Sequence, residues 1–281
     1  MERPYFIGLI LLIINSYCFG QSVKRTTVLK NDTVYISFVN PFLVPLELHL
    51  TPLDSTKGFT KVNPYGLVKY KDTLKNAVAL PISKIKDTSA IDVTRFIEFK
   101  GTFGDPNSQI DKDYRYSLPF PRGKRYKIVQ SFGGKFSHYK THSKYAIDIG
   151  TQIGDTITAA RPGTVVFVKE DSKEYCRSSK CADKGNKIIV VHDDGSLAHY
   201  VHLDFEGALV DVGERIEDSQ PIGISGMTGF TTTPHLHFVL LKAGSVSIPF
   251  KFKGQKRKKL KQGRYYKRVH GPSWIPAPKN D

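Results

Sequence analysis

The stretch Thr233-Pro234-His235-Leu236-His237-Phe238 carries the clearest structural signal in the chain. Two histidines alternate with two apolar residues, and this period of two is typical of a β-strand with one buried face. We therefore expect His235 and His237 to project from one face, roughly 7 Å apart along the strand, while Leu236 and Phe238 enter the core. Two imidazoles placed in this way can share a metal ion, although histidine pairs also occur on protein surfaces by chance.

A second segment, Ala198-His199-Tyr200-Val201-His202-Leu203, adds histidines in a strand-like context. If the alternation is regular, Tyr200 and His202 share one face of the strand and His199 projects from the other. His202 is then the candidate for a site, and His199 is expected at the surface.

A carboxylate lies within an apolar run at Tyr145-Ala146-Ile147-Asp148-Ile149. Burial of Asp148 there is costly unless its carboxylate is hydrogen-bonded, as in a structural core aspartate, or bound to a metal. Together the segments offer two histidines and one carboxylate, with one coordination position open, which is the composition of a catalytic zinc site. Zinc in such a site lowers the pKa of its bound water towards about 7, and a neighbouring imidazole can orient or deprotonate that water.

Five blocks of sequence, taken in order, resemble one known family. They are Tyr145-Ala146-Ile147-Asp148, Ala159-Ala160-Arg161-Pro162-Gly163-Thr164-Val165-Val166, Tyr200-Val201-His202-Leu203, Val212-Gly213 with Gln220-Pro221-Ile222-Gly223, and Gly226-Met227-Thr228-Gly229 leading to Pro234-His235-Leu236-His237-Phe238. On these blocks, about residues 117–245 resemble the lysostaphin-type (LytM-like) zinc metallopeptidases, the Gly-Gly endopeptidase family that cuts peptide cross-links in bacterial cell walls. The resemblance implies an antiparallel β peptidase fold.

The resemblance also implies a role for each candidate residue. Asp148 and His237 match zinc ligands of the family. His202 and His235 match the catalytic pair that orients water and stabilises the transition state.

The remaining zinc ligand of the family is a histidine upstream of the aspartate. Simple members have it four residues before the aspartate, where this chain has Lys144. Longer-spaced members have it in a Gly-x-Phe-Ser-His stretch, which Gly134-Lys135-Phe136-Ser137-His138 matches. We therefore favour His138 as the third ligand and keep His142 as the alternative.

The order of strand-like segments predicts a mainly β chain in several parts. Residues 21–115 contain short alternating runs bounded by turn residues, which favours a β-sandwich-like domain of unknown role. Residues 116–250 are expected to form the zinc metallopeptidase domain. Residues 251–281 follow as a basic tail, in which residues 251–268 hold ten Lys or Arg and no Asp or Glu, a composition that predicts flexibility.

The overall composition limits the classes of protein. The chain has 281 residues, of which 40% are hydrophobic and 24% charged, and this excludes a disordered, collagen-like or multi-span membrane protein. Its formal net charge of +16 indicates a polyanionic neighbour such as nucleic acid, an anionic envelope polymer or an acidic lipid surface. The tail is either a solvated segment or a tether to such a polyanion.

Residues 1–20 fit a secretory signal peptide, because their apolar run is shorter than the roughly 20 residues that span a membrane. A lipoprotein signal with Cys18 as the lipid acceptor is the less favoured alternative. In an exported chain, Cys176 and Cys181 are expected to form a small loop disulfide rather than half of a zinc site, since no second cysteine pair completes one.

The sequence therefore predicts a secreted or periplasmic endopeptidase with one Zn²⁺ per chain that hydrolyses peptide cross-links of peptidoglycan. A non-catalytic cell-wall-binding or hydrolase-activating module with the same fold is the alternative. A nucleic-acid binder is a third hypothesis, which the export signal disfavours. We expect no specific nucleic-acid partner and no transmembrane segment after signal cleavage. The sequence does not distinguish cleavage of glycine bridges from cleavage of direct D-Ala links.

Overall fold

The computed structural model describes residues 23–87, 91–255 and 259–271. These residues are mainly β, and the chain divides into two compact units between Asp105 and Pro106. The predicted signal peptide and residues 272–281 of the predicted tail lie outside the described residues. Among the residues that are described, no helix has the length and apolar character that crossing a membrane requires.

Among its described residues, the first unit contains seven strands in two sheets. The strands are β1 (Lys24–Lys30), β2 (Thr33–Val39), β3 (Leu46–Pro52), β4 (Lys61–Val62), β5 (Tyr65–Val68), β6 (Thr73–Pro81) and β7 (Ile97–Phe103), with short 3-10 segments at Asp54–Thr56, Ile82–Lys84 and Val93–Arg95. One sheet has the order β1-β2-β6-β4 and the other β5-β3-β7. Alternate residues of β2 are buried, and the rings of Phe38 and Phe99 lie 5.3 Å apart between the sheets. This arrangement confirms the β-sandwich-like fold that was predicted.

The second unit contains fifteen strands among its described residues. They are β8 (Arg115–Tyr116), β9 (Arg125–Gln130), β10 (Ile147–Gly150), β11 (Thr156–Thr158), β12 (Gly163–Lys169), β13 (Tyr175–Cys176), β14 (Asn186–Val191), β15 (Leu197–Ala208), β16 (Arg215–Ile216), β17 (Pro221–Ser225), β18 (Gly229–Phe230), β19 (Leu236–Lys242), β20 (Val246–Ser247), β21 (Lys251–Phe252) and β22 (Tyr265–Lys267), with 3-10 segments at Ser179–Lys184 and Ala243–Ser245. Eleven of these strands form one sheet whose main path is β16-β12-β14-β15-β19-β10-β9-β22.

The pairing in this large sheet is antiparallel throughout, as expected. Two small two-stranded pairs, β13 with β18 and β8 with β21, are parallel. One face of the large sheet supplies the apolar core, which includes Ile147, Tyr200, Leu236 and Phe238. The opposite face is therefore left for polar side chains, and the site described below lies there.

The division between the units falls earlier than the predicted boundary between residues 115 and 116. The reason is that residues before Tyr116 already contact the second unit. Asp111 N donates to Asp194 Oδ2 at 3.0 Å, and the Arg161 guanidinium lies 3.9 Å from the centre of the Tyr114 ring.

The predicted flexible tail is corrected for residues 251–255 and 259–271. These residues contain β21 and β22, and β22 extends the large sheet by pairing with β9. The Arg268 guanidinium is buried because it donates to Phe120 O at 2.7 Å, to Thr158 Oγ1 at 3.0 Å and to Ser219 Oγ. Composition alone assigns such a cation to solvent, whereas these carbonyl and hydroxyl acceptors satisfy it inside the unit.

Leu260 offers a test of this correction, since it is 2% exposed and lies in the core of the second unit. We expect Leu260→Ala to lower the free energy of unfolding by about 2–5 kcal/mol, through lost burial and the cavity left behind. Denaturant unfolding should show this loss, while Lys261→Ala, which alters an exposed side chain, should change stability by no more than about 0.5 kcal/mol. Equal stability of the two variants would show that the segment is not part of the folded unit.

Candidate metal centre

Strand pairing brings Asp148 and His237 together. Asp148 in β10 is directly opposite His237 in β19, and opposed residues of an antiparallel pair project from the same face. The Asp148 Oδ1 and His237 Nδ1 atoms lie 2.7 Å apart. The neighbouring residues Leu236 and Phe238 are buried in the core, as the alternation of the histidine stretch predicts.

His138 reaches the same point from the turn-rich segment between β9 and β10. Its side chain is fully buried, and its Nε2 lies 3.1 Å from Asp148 Oδ1. Its Nδ1 lies 3.0 Å from Ser131 O, and a carbonyl accepts only from a protonated nitrogen. The Nδ1–H therefore donates to Ser131 O, and Nε2 is the ring nitrogen that faces Asp148.

Residues around the cluster hold these groups in place, and among them Gln130 was not singled out by the sequence. The Gln130 amide Nε2 donates to Ser137 Oγ at 2.7 Å and to Asp148 Oδ2 at 3.4 Å. A Cβ at Gly134 would lie 2.4 Å from Gln130 Cγ, so the first residue of the Gly-x-Phe-Ser-His stretch must be glycine for Gln130 to pack there. Such outer contacts fix the orientation of ligating groups in metal sites.

The three groups form a compact donor set. The ligand atoms of His138, Asp148 and His237 all lie within 4.8 Å of one another, and no other cluster of this kind occurs in the described part of the chain. Burial acts to raise the pKa of the Asp148 carboxyl, but hydrogen bonds from His138 and His237 outweigh it and hold the pKa well below its usual range. The carboxylate is therefore charged at neutral pH.

His202 and His235 lie beside this cluster. Their ring centroids are 4.6 Å apart, that of His202 is 6.0 Å from that of His237, and His235 Nε2 is 3.8 Å from Asp148 Oδ1. The Nδ1–H of His202 donates to Thr228 O at 2.6 Å and that of His235 to Thr233 O at 2.8 Å. Each Nε2 is thus left for other partners.

Burial also sets the protonation of His202. It lowers the pKa of this imidazole to about 3, and the nearby imidazoles of His235 and His237 act in the same direction. His202 is consequently a neutral imidazole at neutral pH, with its second nitrogen able to accept a proton.

The prediction that Tyr200 and His202 share a face is wrong. Tyr200 lies in the core, where its hydroxyl accepts from Ala160 N at 2.8 Å, whereas His202 lies on the opposite face of the sheet with the cluster. The pairing of β14 with β15 shifts register between Lys187 and Asn186, and His202 has a φ of 68°. This bulge reverses the direction of His202.

His199 is not the simple surface residue that was expected. It pairs with Val239 of β19, which places it on the same face of the sheet as His237, and it is half-buried. His142, the alternative third ligand, is exposed and outside the donor cluster.

The expected disulfide between Cys176 and Cys181 is confirmed, and it lies close in structure to the site. The bond closes the loop after β13, and β13 pairs with β18 at the segment that leads to the histidine stretch. Gly229 N donates to Glu174 O at 2.8 Å and Thr231 N to Cys176 O at 3.2 Å. The disulfide loop therefore supports the segment between Thr228, which holds His202, and His235.

Part of the second unit is similar to one known family. Residues 142–249 match the family model of Peptidase family M23. This segment of the second unit is therefore similar to peptidase M23 domains. The match contains Asp148, His202, His235 and His237, while His138 precedes it.

Similar curated proteins include an enzyme and an activator. Peptidoglycan DD-endopeptidase ShyA of Vibrio cholerae is 26% identical over 156 residues, which cover 54% of this chain and 33% of that protein. Murein hydrolase activator NlpD of Escherichia coli is 29% identical over 130 residues, 46% of this chain and 30% of that protein. The match thus spans about a third of the length of these relatives. Among solved structures, the catalytic domain of lysostaphin from Staphylococcus simulans is 25% identical over 44% of this chain and 86% of its own, with a TM-score of 0.32.

Proposed function

We propose that the chain is a zinc metalloendopeptidase that hydrolyses peptide cross-links of bacterial peptidoglycan. The observation that carries the proposal is the meeting of His138, Asp148 and His237 in one buried cluster, with the imidazoles of His202 and His235 beside it. The match to Peptidase family M23 and the relative named as a peptidoglycan DD-endopeptidase support this substrate class.

His138, Asp148 and His237 would hold one Zn²⁺ ion. Two imidazole nitrogens and one carboxylate oxygen are donors that zinc accepts, and atoms within 4.8 Å of one another can surround an ion with bonds of about 2.0–2.2 Å. When bound, zinc polarises the scissile carbonyl and makes the attacking water more acidic. Ser131 and Gln130 keep His138 and Asp148 in the orientation that this binding needs.

His202 and His235 are the groups proposed to act on water and substrate. The neutral Nε2 of His202 can accept a proton from the attacking water as its hydroxyl joins the carbonyl carbon. His235 is proposed to stabilise the oxygen that becomes negative in the tetrahedral intermediate. The reaction balances when the accepted proton passes to the released amine.

A non-catalytic activator of other hydrolases is the second candidate, because one group of relatives is named as murein hydrolase activators. The presence of all five histidine and aspartate groups in one site favours the enzyme. Incubation of the metal-loaded chain with purified peptidoglycan distinguishes the two. Release of soluble peptide fragments without any added hydrolase supports the enzyme, and mass spectrometry of the fragments identifies the bond that is cut. Fragment release only with an added hydrolase supports the activator.

We further propose that residues 1–20 direct export and that the mature chain acts in the periplasm or outside the cell. The basic residues after 250 would then face anionic polymers of the envelope, in line with the net charge of +16. The N-terminal β-sandwich-like domain is proposed as a separate domain of this exported enzyme.

The third ligand is tested by the metal content of His138→Ala beside His142→Ala. We expect His138→Ala to lose bound zinc, because it removes one of three donors, and His142→Ala to retain one zinc per chain. Elemental analysis of the purified proteins measures both. His138→Gln retains much of the buried volume, so a folded His138→Gln without zinc separates loss of the ligand from loss of packing. Loss of zinc in His142→Ala alone would reverse the assignment.

A further inference from the structure

The outer edge of the large sheet carries a cluster of cations. Strand β22 is the last strand of the sheet, and its register with β9 places Tyr265 opposite Lys127 and Lys267 opposite Arg125. Opposed residues share a face, so these four exposed side chains project together, and we call them the basic face. The alternate residues Tyr126 and Tyr266 project the other way and pack against the core.

The basic face is on the same side of the sheet as the metal centre. Gln130, whose amide contacts Asp148, is opposite Asp148, and Lys127 is opposite Gly150, two residues further along β10. Residues two apart on a strand share a face, so Lys127 and Asp148 project from the same side. The pairing of β9 with β10 shifts register between Gln130 and Ile128, so Lys127 and Gln130 are on this same side although they are three residues, or about 10 Å, apart along the strand.

The charges of the basic face are not neutralised within the described residues. No carboxylate there forms an ion pair with Arg125, Lys127 or Lys267, and the Arg125 guanidinium lies 4.7 Å from the centre of the Tyr265 ring. Some other cations of this unit do have acidic partners, for example Arg215 with Asp193, Lys251 with Asp113 and Lys253 with Asp218.

We propose that the basic face binds a linear polyol phosphate, a polymer with one phosphodiester in each repeat. Cations two apart on one strand are about 6.8 Å apart and opposed pairs about 5 Å, so one extended polyanion can meet several cations at once. Arginine can bind a phosphate through two hydrogen bonds, and lysine serves as a point charge. The polymer would hold the protein with its metal centre facing the same surface.

Single-stranded nucleic acid, another polyanion, fits the basic face less well. Single-stranded nucleic acid is bound on several aromatic rings that stack with successive bases. The basic face has one exposed tyrosine, and the Arg125 guanidinium already lies over its ring. Lysines on an edge strand also prevent association of sheets, and that role alone predicts no affinity for a polymer.

This inference goes beyond the proposed hydrolysis and does not depend on it, because β9 and β22 lie outside residues 142–249. The test uses the full chain, synthetic poly(glycerol phosphate) as the probe, and the triple variant Arg125→Gln/Lys127→Gln/Lys267→Gln. The matched control, Lys24→Gln/Lys30→Gln/Lys75→Gln, removes the same charge from exposed positions of the first unit.

We expect the triple variant to bind the probe at least about tenfold more weakly at 0.15 M salt, and the slope of log affinity against log salt to fall in magnitude by about 2, since each lost phosphate contact contributes about 0.7. The control should bind within about twofold of the unaltered chain, because its three lysines are not part of the basic face. Zinc content and hydrolysis of a short soluble peptide should be the same in all three proteins.

Three results would overturn the proposal. They are equal losses in the triple variant and the control, equally tight binding of poly-glutamate of matched length, and tighter binding of an oligo-dT of matched charge. Each leaves the assignment of the metal centre intact, because zinc content and peptide hydrolysis are measured separately.

Discussion

His237→Ala is expected to lose bound zinc and peptidoglycan hydrolysis together. His237 supplies one of only three donor atoms in the cluster, and the two remaining groups are a poor site for zinc. Changes to outer contacts of metal ligands already cost about 10–100-fold in affinity or activity, so removal of a ligand should exceed about 100-fold. Zinc titration by a competing chelator and fragment release from purified peptidoglycan measure the two effects.

His49→Ala is the control for this variant, because His49 is an exposed strand histidine in the first unit. It should keep one zinc per chain and full hydrolysis. His237 is only partly buried, so its removal should leave the zinc-free protein folded, which far-ultraviolet circular dichroism can verify. If His237→Ala retains zinc and still solubilises peptidoglycan, His237 is not a ligand.

The geometry of the site could be predicted where strand alternation is regular. The histidine stretch enters β19 without a bulge, so Leu236 and Phe238 are buried and His237 faces Asp148 as the pattern requires. The burial of Asp148 among apolar residues also indicated a paired carboxylate, and His138 and His237 supply its partners.

Alternation failed at His202 because a bulge lies there. The positive φ of 68° at His202 and the register shift opposite it turn the side chain to the site. Neither feature is visible in a pattern of polar and apolar residues. Histidine occupies the left-handed backbone region only occasionally, so its presence in the sequence does not predict a positive φ. The resemblance to a family proposed His202 for the site, and its ring lies 6.0 Å from that of His237, whereas the local pattern placed it on the face of Tyr200.

The prediction that the basic segment after residue 250 is flexible is wrong for a different reason. Its composition suggests a solvated chain, but two of its side chains are buried in the second unit. Leu260 enters the core, and Arg268 finds buried acceptors at Phe120 and Thr158. These contacts, together with the pairing of β21 and β22, place in the folded unit a segment that its average composition assigns to solvent.

His202→Asn is expected to keep zinc and lose turnover. His202 is not one of the three donors, so one zinc per chain should remain. Removal of a group that transfers a proton in the transition state lowers turnover by about 10²–10⁴-fold. Asparagine suits the test because it tolerates the positive φ of 68° at this position better than alanine does, and its amide can still donate to Thr228 O.

Comparison of His202→Asn with His202→Ala distinguishes the loss of proton transfer from the cost of backbone strain at this position. Alanine in the left-handed region costs about 1–2 kcal/mol, so His202→Ala should unfold more easily than His202→Asn. Both should nevertheless show the same loss of turnover, because neither side chain can accept a proton from water at neutral pH. Single-turnover rates on a soluble cross-linked peptide, with zinc measured in the same samples, give the comparison. Full turnover in His202→Asn would mean that His202 only supports the segment around Thr228, and loss of zinc in both would mean that the bulge positions the ligands rather than the attacking water.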